Sequence, residues 1–219
     1  GVAVRVPAGA RIVLNIHYHP TGVAEHDSST ALHLRRHPGV PAFVGVVAMI
    51  GNQGDVSGGL LPGPNDPGGV PTFLIPANAV GHTEEMLIGV AGDLPELRVF
   101  ATAVHMHHLG TDMRIAVERV DPDPGVPAEE CLLQTPRWDF QWQQVYTYDA
   151  QLDELPRVRP GDRVRLRCTY DNSLANPAVV RALAEQGLDA PIDVSLGEAS
   201  LDEMCLGVFG VAVALKDII

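Results

Sequence analysis

"RVFATAVHMHHLGTDM", residues 98–113, is an apolar, strand-like run that sets three histidines into four positions. Residues two apart on a strand share a face, so the run predicts His105 and His107 on one side and Met106 and His108 on the other. Other β-branched runs accompany it along the chain: "ARIVLNIHYH", "TALHLRR", "AFVGVVAMI", "DMRIAVERV", "RVRLRCTYD" and "EMCLGVFGVAVAL", each bounded by Gly, Pro, Asp or Asn. With 18 prolines and 22 glycines among 219 residues, the pattern is that of strands joined by turns in a sandwich or barrel. Helix is expected only in "NPAVVRALAEQGL", which has Pro at a plausible first helical position and Gly as a stop. The Gly/Pro-rich stretch 51–70 reads as a long surface loop.

An apolar fraction of 46% can fill a core, so the chain is expected to be globular. A net charge of -12 without a Lys/Arg cluster argues against nucleic acid or an anionic membrane as partner, because both reward basic patches. No apolar run approaches the roughly 20 residues that a membrane span requires. The N-terminal stretch "GVAVRVPAGARIVLNIHYHP" has no targeting signature.

Two imidazoles on one face of an apolar strand make His105 and His107 a bidentate metal claw. The alternative is a pair of half-buried histidines bonded to backbone. A third ligand is offered by "SLDEMCLGVFG", residues 200–210, where alternation puts Met204 and Leu206 on one face and Glu203 and Cys205 on the other. A thioether is soft, so His, His and Met together would select copper; alone, Met204 reads as core filler. Cys205 has a candidate partner in Cys168, and a disulfide between them would imply an oxidising compartment, the alternative being two buried thiols. Cys131 is left over. A second pair, His17 and His19 of "NIHYHPTG", ends at Pro20; His26, His33, His37 and His82 read as solvated or structural.

"VFATAVHMHHLG", "RLRCTYDN" and "DEMC", in that order, resemble the C-terminal half of the copper type II, ascorbate-dependent monooxygenases, the group containing dopamine β-monooxygenase and peptidylglycine α-hydroxylating monooxygenase. The likeness runs along most of the chain, including "LNIHYHP" and "ALHLRR", and "HMHHLG" is its most specific element. It implies an antiparallel jelly-roll-like β-sandwich with one short helical insertion. It implies His105, His107 and Met204 as ligands of the oxygen-activating copper, and Cys168–Cys205 as a family disulfide. His17 matches a ligand of the family's second, electron-transfer copper, whose other ligands belong to a preceding N-terminal copper domain. On this reading residues 1–37 are the end of that domain and residues 38–219 the oxygen-activating domain.

The resemblance further implies a monooxygenase that hydroxylates a C–H bond of a small organic substrate with O2. Its co-substrate would be ascorbate or another one-electron reductant, and its compartment secreted or periplasmic. Two departures bear on the substrate. The peptide-amidating member carries an arginine two residues before the first H-x-H histidine and a tyrosine four after the methionine, where this chain has Ala103 and Val208, so a peptide carboxylate is not expected. Residues 173–194 are longer than in the animal enzymes and are expected to reshape the pocket. Two rivals are a copper-binding module without catalysis and a cupin-like metalloenzyme. The second is the weaker, because "RPGDRVRLRCTYD" has no histidine where a second cupin motif needs one. G-x-S-x-G and H-E-x-x-H are both absent, which leaves hydrolysis without support.

Overall fold

A computed structural model describes residues 2–14, 16, 18, 22–52 and 59–218. The alternation in "RVRLRCTYD" becomes β10 (Arg163–Asp171), whose Val164, Leu166, Cys168 and Tyr170 point into the core while Arg163, Arg165 and Arg167 point out. The outward arginines pair across the sheet surface, Arg163 and Arg165 with Glu118 and Arg167 with Asp112. Antiparallel to β10 lie β4 (Val80–Gly89) and β6 (Gly110–Glu118), and β7 (Glu129–Thr135) completes a sheet of order β4-β10-β6-β7.

The second sheet runs β1-β2-β12-β5-β8, from β1 (Val2–Val4), β2 (Phe43–Gly51), β12 (Leu206–Ala214), β5 (Leu97–His105) and β8 (Tyr146–Thr147), with β9 (Arg157–Val158) also on β5. All its pairings are antiparallel except β1 with β2. β5 is central and buried on both faces, which explains its unbroken apolar run. The sheets form a sandwich-like all-β arrangement whose core includes Met86, Ile115 and Leu166 from one and Val99, Phe209 and Val211 from the other. A third, two-stranded ladder joins β3 (Leu74–Ile75) and β11 (Val194–Ser195).

The single expected helix is α1 (Pro177–Glu185), with Pro177 in its first turn and the side chain of Asn176 accepting the N–H of Ala178. Two expected strands do not form: among the described residues 5–42 carry no strand. The runs "ARIVLNIHYH" and "TALHLRR" have the apolar content, but β1 occupies the free edge of β2, and Val13, Leu14, Leu32 and Leu34 stay exposed. Without a partner ladder, backbone N–H and C=O groups gain nothing from the extended form. Of the loop 51–70, Leu60 forms an isolated bridge with Met86 and residues 67–69 a 3-10 turn; 53–58 lie outside the described residues.

Candidate metal centre

β5 ends at His105 and β12 begins at Leu206, which is its cross-strand partner, so the ends of two central strands open at one place. The sequence reading carried the strand to His108; the ladder stops three residues sooner. His105 and His107 nevertheless converge, their ring centroids 5.2 Å apart and nearly perpendicular. Met106 turns into the core and is fully buried. Because the strand has ended, His107 and His108 both reach one cavity rather than opposite faces.

Each converging imidazole is held by its Nδ1. His105 Nδ1 lies 2.7 Å from Oε1 of Gln143, and His107 Nδ1 lies 2.8 Å from the carbonyl oxygen of Asp202. Both partners are acceptors, so each ring donates through Nδ1–H and its Nε2 is left as a lone-pair donor. Burial pulls the pKa of His105 below its ordinary value, against the bond to Gln143 and with the charge of His107. The neutral ring is the form that binds a metal. Trp138 Nε1 donates to the backbone carbonyl of His107 at 3.0 Å, and the indole packs edge-on to His105. Gly110 makes this possible, since a Cβ there would sit 2.8 Å from Trp138 Cδ1 and 2.9 Å from Met106.

Glu203 organises the other side. It is 0% exposed and, among the described residues, forms no ion pair; Oε2 accepts the N–H of His107 at 2.8 Å and of Met204 at 3.1 Å, and Oε1 that of Leu109 at 2.7 Å. One carboxylate oxygen thus ties the backbones of His107 and Met204 together. Burial pushes the Glu203 carboxyl up to about 7, against the pull of these N–H donors. Tyr170 donates its hydroxyl to the carbonyl of Met204 at 2.8 Å.

The Cys168–Cys205 disulfide links β10 to the residue preceding β12 and so joins the two sheets beside Met204. Asn52 accepts the N–H of Cys205 and donates its own N–H to the carbonyl of Cys205. Gly51, at φ 112°, permits that approach: a Cβ there would lie 2.1 Å from the Cys205 oxygen.

The cavity beside His107 and His108 has a volume of about 840 Å³. Trp138 and Phe140 form one wall and α1, through Ala178, Arg181 and Glu185, the other, so the helical insertion does border the pocket. Phe140 lies against His108 with centroids 4.4 Å apart. Ala103 and Val208 face each other across β5 and β12. His17 lies outside the described residues. Cys131 is exposed and free.

Sequence reading missed Glu203, Gln143 and Trp138. For Glu203 a signal was present: it shares a face with Cys205, and an acid on the inward face of a buried strand must find donors. Gln143 and Trp138 lie in an irregular segment with no periodicity to place them.

Residues 84–208 match the family described as copper type II ascorbate-dependent monooxygenase, C-terminal domain. No curated protein matches the chain.

Proposed function

We propose, for a chain that belongs to the copper type II ascorbate-dependent monooxygenase C-terminal domain family, that His105, His107 and Met204 hold one copper ion at which a C–H bond of a small organic substrate is hydroxylated. The observation that carries this reading is the pair of imidazoles whose Nδ1 hydrogens are both engaged, which turns two Nε2 atoms free in one place. Among the described residues no three His, Cys, Asp or Glu side chains form a metal cluster, and a thioether offers the histidine pair a third ligand of another kind. Met204, tied to His107 through Glu203, supplies a soft one. Copper bound there supplies one-electron chemistry with O2, fed by an external reductant such as ascorbate.

The protein's own residues do the rest. Gln143 and the Asp202 carbonyl orient the rings, while Glu203 and Trp138 fix the backbone of His107 from opposite sides. The cavity receives the substrate next to His107, with Trp138 and Phe140 offering apolar faces to an organic body. Ala103 and Val208 offer no charge or hydroxyl, which speaks against a peptide carboxylate at that position. The disulfide supports a secreted or periplasmic setting. Residues 1–37 and His17 are read, on the family resemblance, as the margin of a partner copper domain, so this chain alone should bind copper yet fail at multiple turnover.

The test is X-ray absorption on protein loaded with one equivalent of Cu(I). Sulfur beside imidazole nitrogen, lost in Met204→Ile, supports the assignment. A shell of nitrogen and oxygen alone in the unaltered protein rejects Met204 as a ligand.

A further inference from the structure

Among the described residues, every arginine between positions 43 and 219 is in ion-pair contact with a carboxylate except Arg137 and Arg181. In a chain with 27 acids against 15 bases, a guanidinium that no acid has taken up is the exception. Both exceptions line the cavity beside His107. They reach it from opposite walls, Arg181 from α1 and Arg137 from the segment that carries Trp138 and Phe140.

The place of Arg181 follows from how α1 is seated. Val179, Ala182 and Leu183 are buried, which fixes the helix about its axis, and Ala178, Arg181 and Glu185, three and four residues apart, then border the cavity. Arg181 and Glu185 stand one turn apart without pairing; with the base N-terminal to the acid the order is the less favourable one, so the guanidinium stays available. Burial holds the His108 ring below its ordinary pKa, and the charges of His107 and Arg181 act the same way against Glu185, which sets Arg181 near the end of the cavity where His107 lies. Arg137 is shared with a neighbouring groove that also holds Trp142 and Tyr146, so Arg181 is the one that serves this cavity alone. The acids Asp139, Glu185 and Glu198 border the cavity as well, all exposed, and Asp139 spends Oδ1 on the N–H of Gln141. An ammonium on an exposed acid gains little, whereas a guanidinium takes a carboxylate in two parallel hydrogen bonds, so an anion gains more here than a cation.

We infer, on the reading that copper binds at His105, His107 and Met204, that the substrate is a small organic acid whose apolar body lies against Trp138 and Phe140 and whose carboxylate is held by Arg181. The aromatic wall suits a ring or an alkyl body, and the planar guanidinium fork matches a carboxylate. The anchor sits on α1, within the helical insertion, and not on β5 or β12, where Ala103 and Val208 offer no partner. A charge held at that wall leaves the remote end of the substrate to turn its C–H bond toward His107, so binding energy is spent on orientation. Arg181 is in this sense a positioning residue that touches the substrate away from the reacting carbon.

Calorimetric titration of three probes with one body into the copper-free full chain tests this: phenylpropanoate, phenylpropanol and phenylpropylamine. The acid is expected to bind about tenfold more tightly than the alcohol, as one charge-assisted contact provides, and the amine no more tightly than the alcohol. Arg181→Gln should bring the acid down to the alcohol and leave the alcohol's affinity unchanged, which reports at the same time that the cavity has kept its shape. No binding of the acid overturns the inference, as does an amine that binds more tightly than the acid, or an Arg181→Gln chain that keeps the preference. Copper is absent throughout, so these outcomes are separate from the sulfur signal that judges Met204.

Discussion

Glu203→Ala should both unfold the protein more easily and loosen the metal centre. The carboxylate accepts three N–H groups, from His107, Met204 and Leu109, and removing it leaves all three buried without a partner. Each orphaned donor costs about 1–3 kcal/mol. Against that stands the cost of burying the acid, visible in the rise of its pKa to about 7, which alanine no longer bears. Three donors together cost about 3–9 kcal/mol and the rise of the acid from 4.5 to about 7 corresponds to about 3 kcal/mol, so the net loss is about 1–6 kcal/mol. Glu203→Gln keeps one acceptor oxygen and orphans fewer donors, so about 1–3 kcal/mol is expected, a Tm lower by roughly 2–12 °C. Urea denaturation of the copper-free variants reads the first effect, and competition with a Cu(I) chelator reads the second. Glutamine should weaken Cu(I) binding by about 10–100-fold, as loss of a ligand's supporting hydrogen bond does. The reasoning is refuted if alanine melts with the unaltered protein, or if glutamine lowers the Tm and leaves Cu(I) affinity untouched, because Glu203 would then be structural only.

Gln143→Leu removes the acceptor on His105 Nδ1 and should cost about 10–100-fold in Cu(I) affinity with little change in Tm, read by chelator competition. Opening the Cys168–Cys205 bridge, which spans 37 residues, should cost about 3–4 kcal/mol, measured as the shift in urea midpoint between Cys168→Ser/Cys205→Ser and the oxidised protein. Gly110→Ala overpacks Trp138 against Met106 and should cost about 1–3 kcal/mol, with an altered tryptophan emission spectrum as the indole leaves the His107 carbonyl. Gly51→Ala places a Cβ on the Cys205 oxygen at a backbone angle that suits glycine, and a loss of soluble folded protein is expected, checked by circular dichroism.

Strand periodicity was readable wherever one strand had two covered neighbours. β10 alternates residue by residue between core and arginine, and its limits match the run "RVRLRCTYD". "ARIVLNIHYH" carries as strong a pattern and forms no strand among its described residues, since period reports which residues want burial and not whether a partner edge exists. The proposed metal centre divides in the same way. His105 and His107 were visible because their spacing is local. Glu203, Gln143 and Trp138 act on them from 31 to 96 positions away along the chain, through the β5–β12 register and through an irregular segment.

That division has a physical consequence for how the centre is built. The β5–β12 ladder stops at His105 and Leu206, so beyond it the backbones of residues 107, 109 and 204 have no sheet to satisfy their N–H groups. One buried carboxylate takes over the work of the missing ladder rungs, and it can bring a histidine and a methionine segment together only where the sheet has ended. The early stop of β5 and the buried acid in "DEMC" are thus two sides of one requirement: the backbones of His107 and Met204 leave the sheet where they converge on Glu203, and its carboxylate accepts their freed N–H groups.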